Sequence, residues 1–161
     1  MGIIVIAIIA CLAFIIIALV RKTQKETRKK RKILSDKIAF IATKNGFQWS
    51  HTDTSLHRAI AWFAQKRFLL FIDFVNEEER LRLIDMNEIE HCSFNEKGIV
   101  EINQNKSSHK HITRVELELH YKEKSKGTET LQFYNEMHDG LMERLPLTEK
   151  AKNWQAVIMS S

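Results

Sequence analysis

Residues 114–122 read R-V-E-L-E-L-H-Y-K, with Val115, Leu117, Leu119 and Tyr121 on one side and Arg114, Glu116, Glu118, His120 and Lys122 on the other. Such strict alternation marks a half-buried β-strand, because successive side chains leave opposite faces of the pleat. A polar stretch with Gly127 follows, and then residues 130–135, where Leu131 and Phe133 alternate with Thr130, Gln132 and Tyr134, so the pair predicts a hairpin. Upstream, residues 68–74 are a nearly continuous apolar run, Glu77, Glu78 and Glu79 make an acidic turn, and residues 80–85 alternate, with Arg80 and Arg82 expected outward and Leu81 and Leu83 inward. This predicts a second hairpin. Shorter strands are expected at residues 90–95 and 99–103, with a turn at Gly98 between them, and residues 104–111 read as a polar loop. Residues 53–65 fit two readings. Leu56, Ile60 and Phe63 have helical spacing behind Asp53 as an N-cap, while residues 57–64 also suit a strand entering a short turn at Gln65, Lys66 and Arg67, and the strand is favoured.

The end of the chain has a different period. Beyond Pro146, the residues Leu147, Ala151, Trp154 and Ile158 recur at i, i+4, i+7 and i+11, which predicts an amphipathic helix starting at Thr148 as N-cap and anchored by Trp154. Six or seven short strands followed by one such helix resemble the pleckstrin-homology-like (PH-like) fold over residues 47–159. The blocks F-L-L-F-I-D-F (68–74), L-I-D-M-N-E-I-E-H-C-S-F (83–94), V-E-L-E-L-H-Y (115–121), L-Q-F-Y-N (131–135) and A-K-N-W (151–154) are similar to bacterial PH-like domains of undefined role. The resemblance implies a mainly β architecture in which two nearly orthogonal antiparallel sheets form a bent barrel of about seven strands, capped by the C-terminal helix. It speaks to fold, because none of these blocks is a catalytic signature.

A chain of 161 residues allows one folded domain plus an appendage, and here the appendage is N-terminal. Residues 3–20 contain only Ile, Val, Ala, Cys, Leu and Phe. At about 1.5 Å of rise per residue, a helix of that length just spans a hydrocarbon core. A cleaved signal peptide would carry its positive charge ahead of the apolar run, whereas here the charge follows it. Lipidation fits poorly too, since nine apolar residues follow Cys11 and position 6 is Ile where a myristoylation signal needs Ser or Thr. The expected organisation is a transmembrane helix at 1–20, a basic juxtamembrane and helical stalk at 21–46, and a PH-like domain at 47–161. In the stalk, Leu34, Ile38 and Ile41 form an apolar stripe expected to pack on the chain's own domain, and Asn45-Gly46 reads as the C-cap.

The net charge of +5 is unevenly distributed. Arg21, Lys22, Lys25, Arg28, Lys29, Lys30, Arg31 and Lys32 stand against Glu26 alone, so this run carries +7 and the rest of the chain −2. The high pI therefore gives no reason to expect a nucleic-acid-binding face on the domain. By the positive-inside rule the run places the C-terminal domain on the cytoplasmic side of the cell (inner) membrane, single-pass. The run reads either as a topology signal alone or also as a lipid contact, since each Lys or Arg near an anionic leaflet contributes on the order of 1 kcal/mol.

PH domains that bind phosphoinositides share a pattern of Lys, a variable stretch and Arg-x-Arg, and Lys66 or Arg67 with Arg80-Leu81-Arg82 resembles it. The resemblance implies a headgroup contact at these residues, although Glu77, Glu78 and Glu79 occupy the loop that should carry positive charge. His109 and His111 have same-face strand spacing but lack the further ligands a zinc site needs. Cys92 reads as a small core side chain, and Cys11 as a helix residue facing lipid. The glycines are too dispersed for a phosphate loop. No catalytic residue, cofactor site or metal site is expected. The first functional expectation is a non-enzymatic, membrane-anchored module that binds or scaffolds an unidentified protein partner. The alternative is binding of anionic lipid through the basic run, Lys66, Arg67, Arg80 and Arg82.

Overall fold

Alternating segments separated by short turns give seven strands among the described residues, flanked by helices at both ends. The computed structural model describes residues 2–75, 78–102 and 108–160, with side chains over residues 14–74, 78–100 and 111–160. Strands β1 (His51–Thr54), β2 (Arg58–Phe63), β3 (Phe68–Val75) and β4 (Glu78–Asp85) form one antiparallel sheet in that order. Strands β5 (Ile89–Ile102), β6 (Ser108–Tyr121) and β7 (Thr128–Asn135) form a second. Around them lie α1 (Gly2–Asn45), α2 (Glu136–Asp139) and α3 (Arg144–Met159).

The chain is thus mixed helix and β, with two antiparallel sheets and a C-terminal helix, and among the described residues the sheets are not hydrogen-bonded into a closed barrel. Side chains bridge the edge strands instead. Arg82 of β4 donates to Glu129 Oε1 at 2.7 Å and to the Thr130 carbonyl at 2.6 Å on β7. Between the other two edges, α3 supplies Lys150, whose Nζ meets Asp53 Oδ1 of β1 at 2.7 Å, and Gln155, which donates to the Cys92 carbonyl of β5 at 3.0 Å.

Two buried cores follow from this layering. Between the sheets, Ile60, Trp62, Leu69 and Phe71 meet Val115, Leu117, Leu119 and Leu131, and Leu147, Ala151, Trp154 and Ile158 of α3 join them. On the outer face of the four-stranded sheet, Leu34, Ile38 and Ala42 of α1 cover Ala59, Ala61, Phe63, Leu70 and Ile72. The stalk stripe therefore packs on its own domain as expected. Gly46, at φ 65°, ends the helix, and the Phe47 N–H donates to the Ala42 carbonyl at 2.8 Å.

Several expectations need correction. Within residues 53–65 the favoured strand is present as β2 (Arg58–Phe63), but β1 is an additional strand that uses Asp53 within its ladder where the helical reading made it an N-cap. Ala64–Lys66 form a 3₁₀ turn that places Arg67 at φ 54°. In β4 the facing is reversed: Arg82 pairs in register with Phe71 and Ile84 with Leu69 on the inter-sheet face, while Leu81 and Leu83 lie on the α1 side and are exposed. Both faces of this sheet bury apolar residues, so Leu81 and Leu83 could have been inward on either, and alternation alone did not fix the phase. Gly98 is not a turn. It lies within β5 beside a register shift, where a Cβ would collide with the His111 carbonyl, so close approach of two backbones requires glycine there. Residues 108–111 belong to β6, and residues 104–107 of the expected loop lie outside the described residues, as does Glu77 of the acidic turn. The C-terminal helix starts at Arg144, with Pro146 in its first turn, where no intrahelical bond is lost. Thr148 does not cap it; its Oγ1 donates to the Arg144 carbonyl at 2.8 Å.

Among the described residues no helix is long and apolar enough to cross a membrane. Residues 3–20, expected to form the anchor, are helical in backbone, but the side chains of residues 1–13 lie outside the described residues.

Candidate functional site

Helix α1 passes uninterrupted through the basic run, because neither Gly nor Pro occurs between Ile3 and Asn45. Arg21, Lys22, Lys25, Arg28, Lys29, Lys30, Arg31 and Lys32 are all exposed, and among the described residues none makes an ion pair. Thr27 and Arg31 face Asp139, Glu143 and Pro146 across a cleft, so the end of the run meets the start of α3. At the other end of the packed segment, Phe47 contacts Phe63 and Phe68, with ring centroids 5.1 and 5.6 Å apart. The turn holding Lys66 and Arg67 joins those same strand ends, so it lies at the end of the domain opposite the basic run.

The basic residues proposed for lipid contact are thereby separated. Arg80 pairs in register with Asp73, five positions along β3 from Phe68, roughly 17 Å at the usual strand rise. It is exposed. Arg82 is committed internally: besides its bonds to β7, its Nη2 donates to Asp73 Oδ2 at 2.8 Å, and the guanidinium lies 5.0 Å from the centroid of the Phe71 ring. Asp73 is buried, so this pairing offsets the cost of removing a carboxylate from water. Sequence alternation missed this role because it assigned Arg82 to the wrong face.

Near the basic run, Arg58 forms a buried, two-pronged pair with Asp139, at 2.9 and 2.8 Å, and Asp139 Oδ2 also accepts from the Asn135 N–H at 2.7 Å. This fixes α2 against β2. Just beyond it, Met137, Leu141, Met142 and Leu145 are exposed apolar side chains, with Met142 91% exposed. Four exposed apolar side chains within nine residues make this segment a candidate contact region. The sequence signal was misleading, since Met137, Leu141 and Leu145 stand at i, i+4 and i+8 like a helical stripe, yet Gly140 at φ 74° ends α2 and no single helix carries them.

Groups with catalytic chemistry are few. Ser93 Oγ lies 3.0 Å from His120 Nε2, whose Nδ1 is 3.4 Å from Thr128 Oγ1, and the His91 ring stacks on His120 at 4.0 Å. A hydroxyl on Nδ1 supplies none of the negative charge with which a carboxylate stabilises an imidazolium. Burial pushes the Cys92 thiol up to about 11, so it is not a poised nucleophile. Burial likewise raises the Tyr134 phenol, reinforced by Glu136. His111 pairs with Glu136 at 2.8 Å, and the side chain of His109 lies outside the described residues. Among the described residues no group of His, Cys, Asp or Glu could hold a metal ion. The chain has no significant match among protein-family models, curated proteins or solved structures.

Proposed function

We propose that the chain is a single-pass, membrane-anchored, non-enzymatic PH-like module whose domain binds or scaffolds a protein partner at the cytoplasmic face. The observation that carries this reading is α1 itself. One helix holds the apolar run and the exposed basic run, and its final turns are buried against the domain. An anchor so built would hold the domain at a fixed distance and orientation from the bilayer. Strand order β1-β2-β3-β4 and β5-β6-β7 followed by α3 supports the PH-like reading of the domain. Exposed Met137, Leu141, Met142 and Leu145 support the segment between β7 and α3 as the partner contact.

The test places a photo-crosslinking amino acid at Met142 in the full chain, expressed in its native cells, with a second version at Lys124 on the exposed turn before β7. A discrete crosslinked protein in the membrane fraction from the first position and not the second supports the reading. Recovery of the chain in the supernatant after cell lysis would overturn the anchor, and identical crosslinking at both positions would overturn the contact surface. Binding of anionic lipid through Lys66, Arg67, Arg80 and Arg82 together is disfavoured, because Arg82 is engaged inside the fold and the Lys66 turn lies far from the basic run.

A further inference from the structure

Between α1 and the end of the four-stranded sheet lies a cavity of about 510 Å³, within the roughly 300–1,000 Å³ usual for small-molecule sites. Its floor is apolar: Ile33 and Leu34 come from α1, Leu56 from the connection between β1 and β2, and Phe74 from β3. Its polar lining is all of one kind, Lys30 from the basic run, His57 from the same connection and His138 from α2. Among the described residues no carboxylate lines it. The nearby Asp139 is already held by Arg58 and by the Asn135 N–H. Among the described residues Lys30, His57 and His138 have no ion-pair or side-chain hydrogen-bond partner.

The electrostatics agree with this inventory. Burial holds the His57 imidazole below its ordinary value against the pull of Asp139, and the positive charges of Arg58, Lys30 and His138 hold it lower. A lining with the Lys30 ammonium, two imidazoles able to donate hydrogen bonds and an apolar floor is complementary to an anion carrying an apolar chain. A bare phosphate would leave the floor wet, and a neutral hydrocarbon would leave the Lys30 ammonium unanswered. Lys30 lies ten residues beyond Val20, about 15 Å of helix from the end of the apolar run.

We propose that this cavity binds a single-chain anionic amphiphile, a fatty acid or a lysophospholipid, with its chain against Ile33, Leu34, Leu56 and Phe74 and its head among Lys30, His57 and His138. Delivery of that ligand from the bilayer rests on the anchored reading above; the fit of the cavity does not.

Native mass spectrometry of the full chain released from a non-ionic detergent, titrated with palmitate, palmitoyl-lysophosphatidate, hexadecanol or inorganic phosphate, provides the test. One palmitate or one lysophosphatidate binds per chain, and their relative affinity identifies the preferred head. Hexadecanol binds about tenfold more weakly, the scale of one lost charge-assisted contact. Phosphate alone does not bind. Lys30→Glu, on an exposed helical position, weakens palmitate about tenfold, and Leu56→Trp, which fills the floor, abolishes its binding. Absence of palmitate and lysophosphatidate binding, or equal palmitate binding by the wild type and Lys30→Glu, overturns the proposal, as does hexadecanol binding as tightly as palmitate. If Leu56→Trp melts early, Lys30→Glu carries the test. Fractionation of the same cells separates the two readings: a chain that sediments with membranes and binds neither lipid overturns the cavity proposal alone, whereas a chain in the supernatant overturns the anchor and leaves the cavity to be judged by its own variants.

Discussion

Single side chains in this molecule divide into those whose chemistry is answered by the fold and those whose chemistry is not. Tyr134 belongs to the second group. At the β6/β7 register shift, Phe133 has no partner on β6, so it and Tyr134 are both buried although a regular strand would send them to opposite faces. The Tyr134 hydroxyl is buried and has no hydrogen-bond partner among the described residues. Tyr134→Phe should therefore leave stability unchanged or raise it by up to about 1 kcal/mol, because deletion removes a desolvated group that makes no bond. A loss of more than about 1 kcal/mol in denaturant unfolding would mean that the hydroxyl has a partner. His57 gives a pH dependence of defined sign. Its folded-state value lies below the unfolded 6.5, so its contribution is fully present above about 6.5 and is lost as pH falls through the folded value, when the unfolded chain takes up the proton first. His57→Gln should flatten the acid side of the stability profile, and parallel curves for variant and wild type would contradict this.

At the scale of elements, the edge strands are joined by side chains, and those side chains should carry unequal weight. Arg82→Ala leaves Asp73 buried without its cation and should cost about 3 kcal/mol or more. Arg80→Ala, two residues along the same strand face and exposed, should stay within about 0.5 kcal/mol. Chemical denaturation of the two variants checks this directly, and equal effects would mean that Arg82 does not couple the sheets. Trp154→Ala removes the large anchor of α3 and should cost about 3–5 kcal/mol, so a change under about 1 would show that α3 is not docked through this residue. The sequence disclosed these elements unevenly. Val115, Leu117 and Leu119 alternated cleanly because the opposite side of β6 carries polar and charged groups. Leu147, Ala151, Trp154 and Ile158 were equally plain, because α3 buries one stripe. The β3/β4 hairpin was found but β4 was given the wrong facing, since α1 covers the outside of that sheet and an apolar residue there has two possible destinations. Strand β1 was invisible: its four residues, His51–Thr54, have no alternation, and pairing with β2 makes them a strand. For the same reason the basic run could be read directly as a linear feature, whereas the separation of Lys66 from Arg80 and the internal use of Arg82 depend on register.

For the molecule as a whole, charge and packing together decide which part meets a membrane. Residues 33–161 keep Leu34, Ile38 and Ala42 over the outer sheet face, so they retain both cores, whereas a cut at residue 47 would expose Ala59, Ala61, Phe63, Leu70 and Ile72. That fragment carries −2, and extending it to residue 21 adds the +7 of the basic run and brings it to +5. Anionic vesicles should therefore bind residues 21–161 and not residues 33–161 at physiological salt. The eight exposed bases can contribute on the order of 1 kcal/mol each near the surface, and this attraction decays over a Debye length of about 8 Å. Sedimentation with vesicles across a salt series reads both parts of the argument. Binding of the longer fragment should fall steeply as salt rises, because exposed charges are screened while buried apolar contacts are not. The discriminating comparison is Arg80→Glu in the shorter fragment: if residues 33–161 sediment with vesicles at physiological salt and this exposed substitution releases them, the domain itself reads lipid charge, and the basic run of α1 is only one of two membrane contacts.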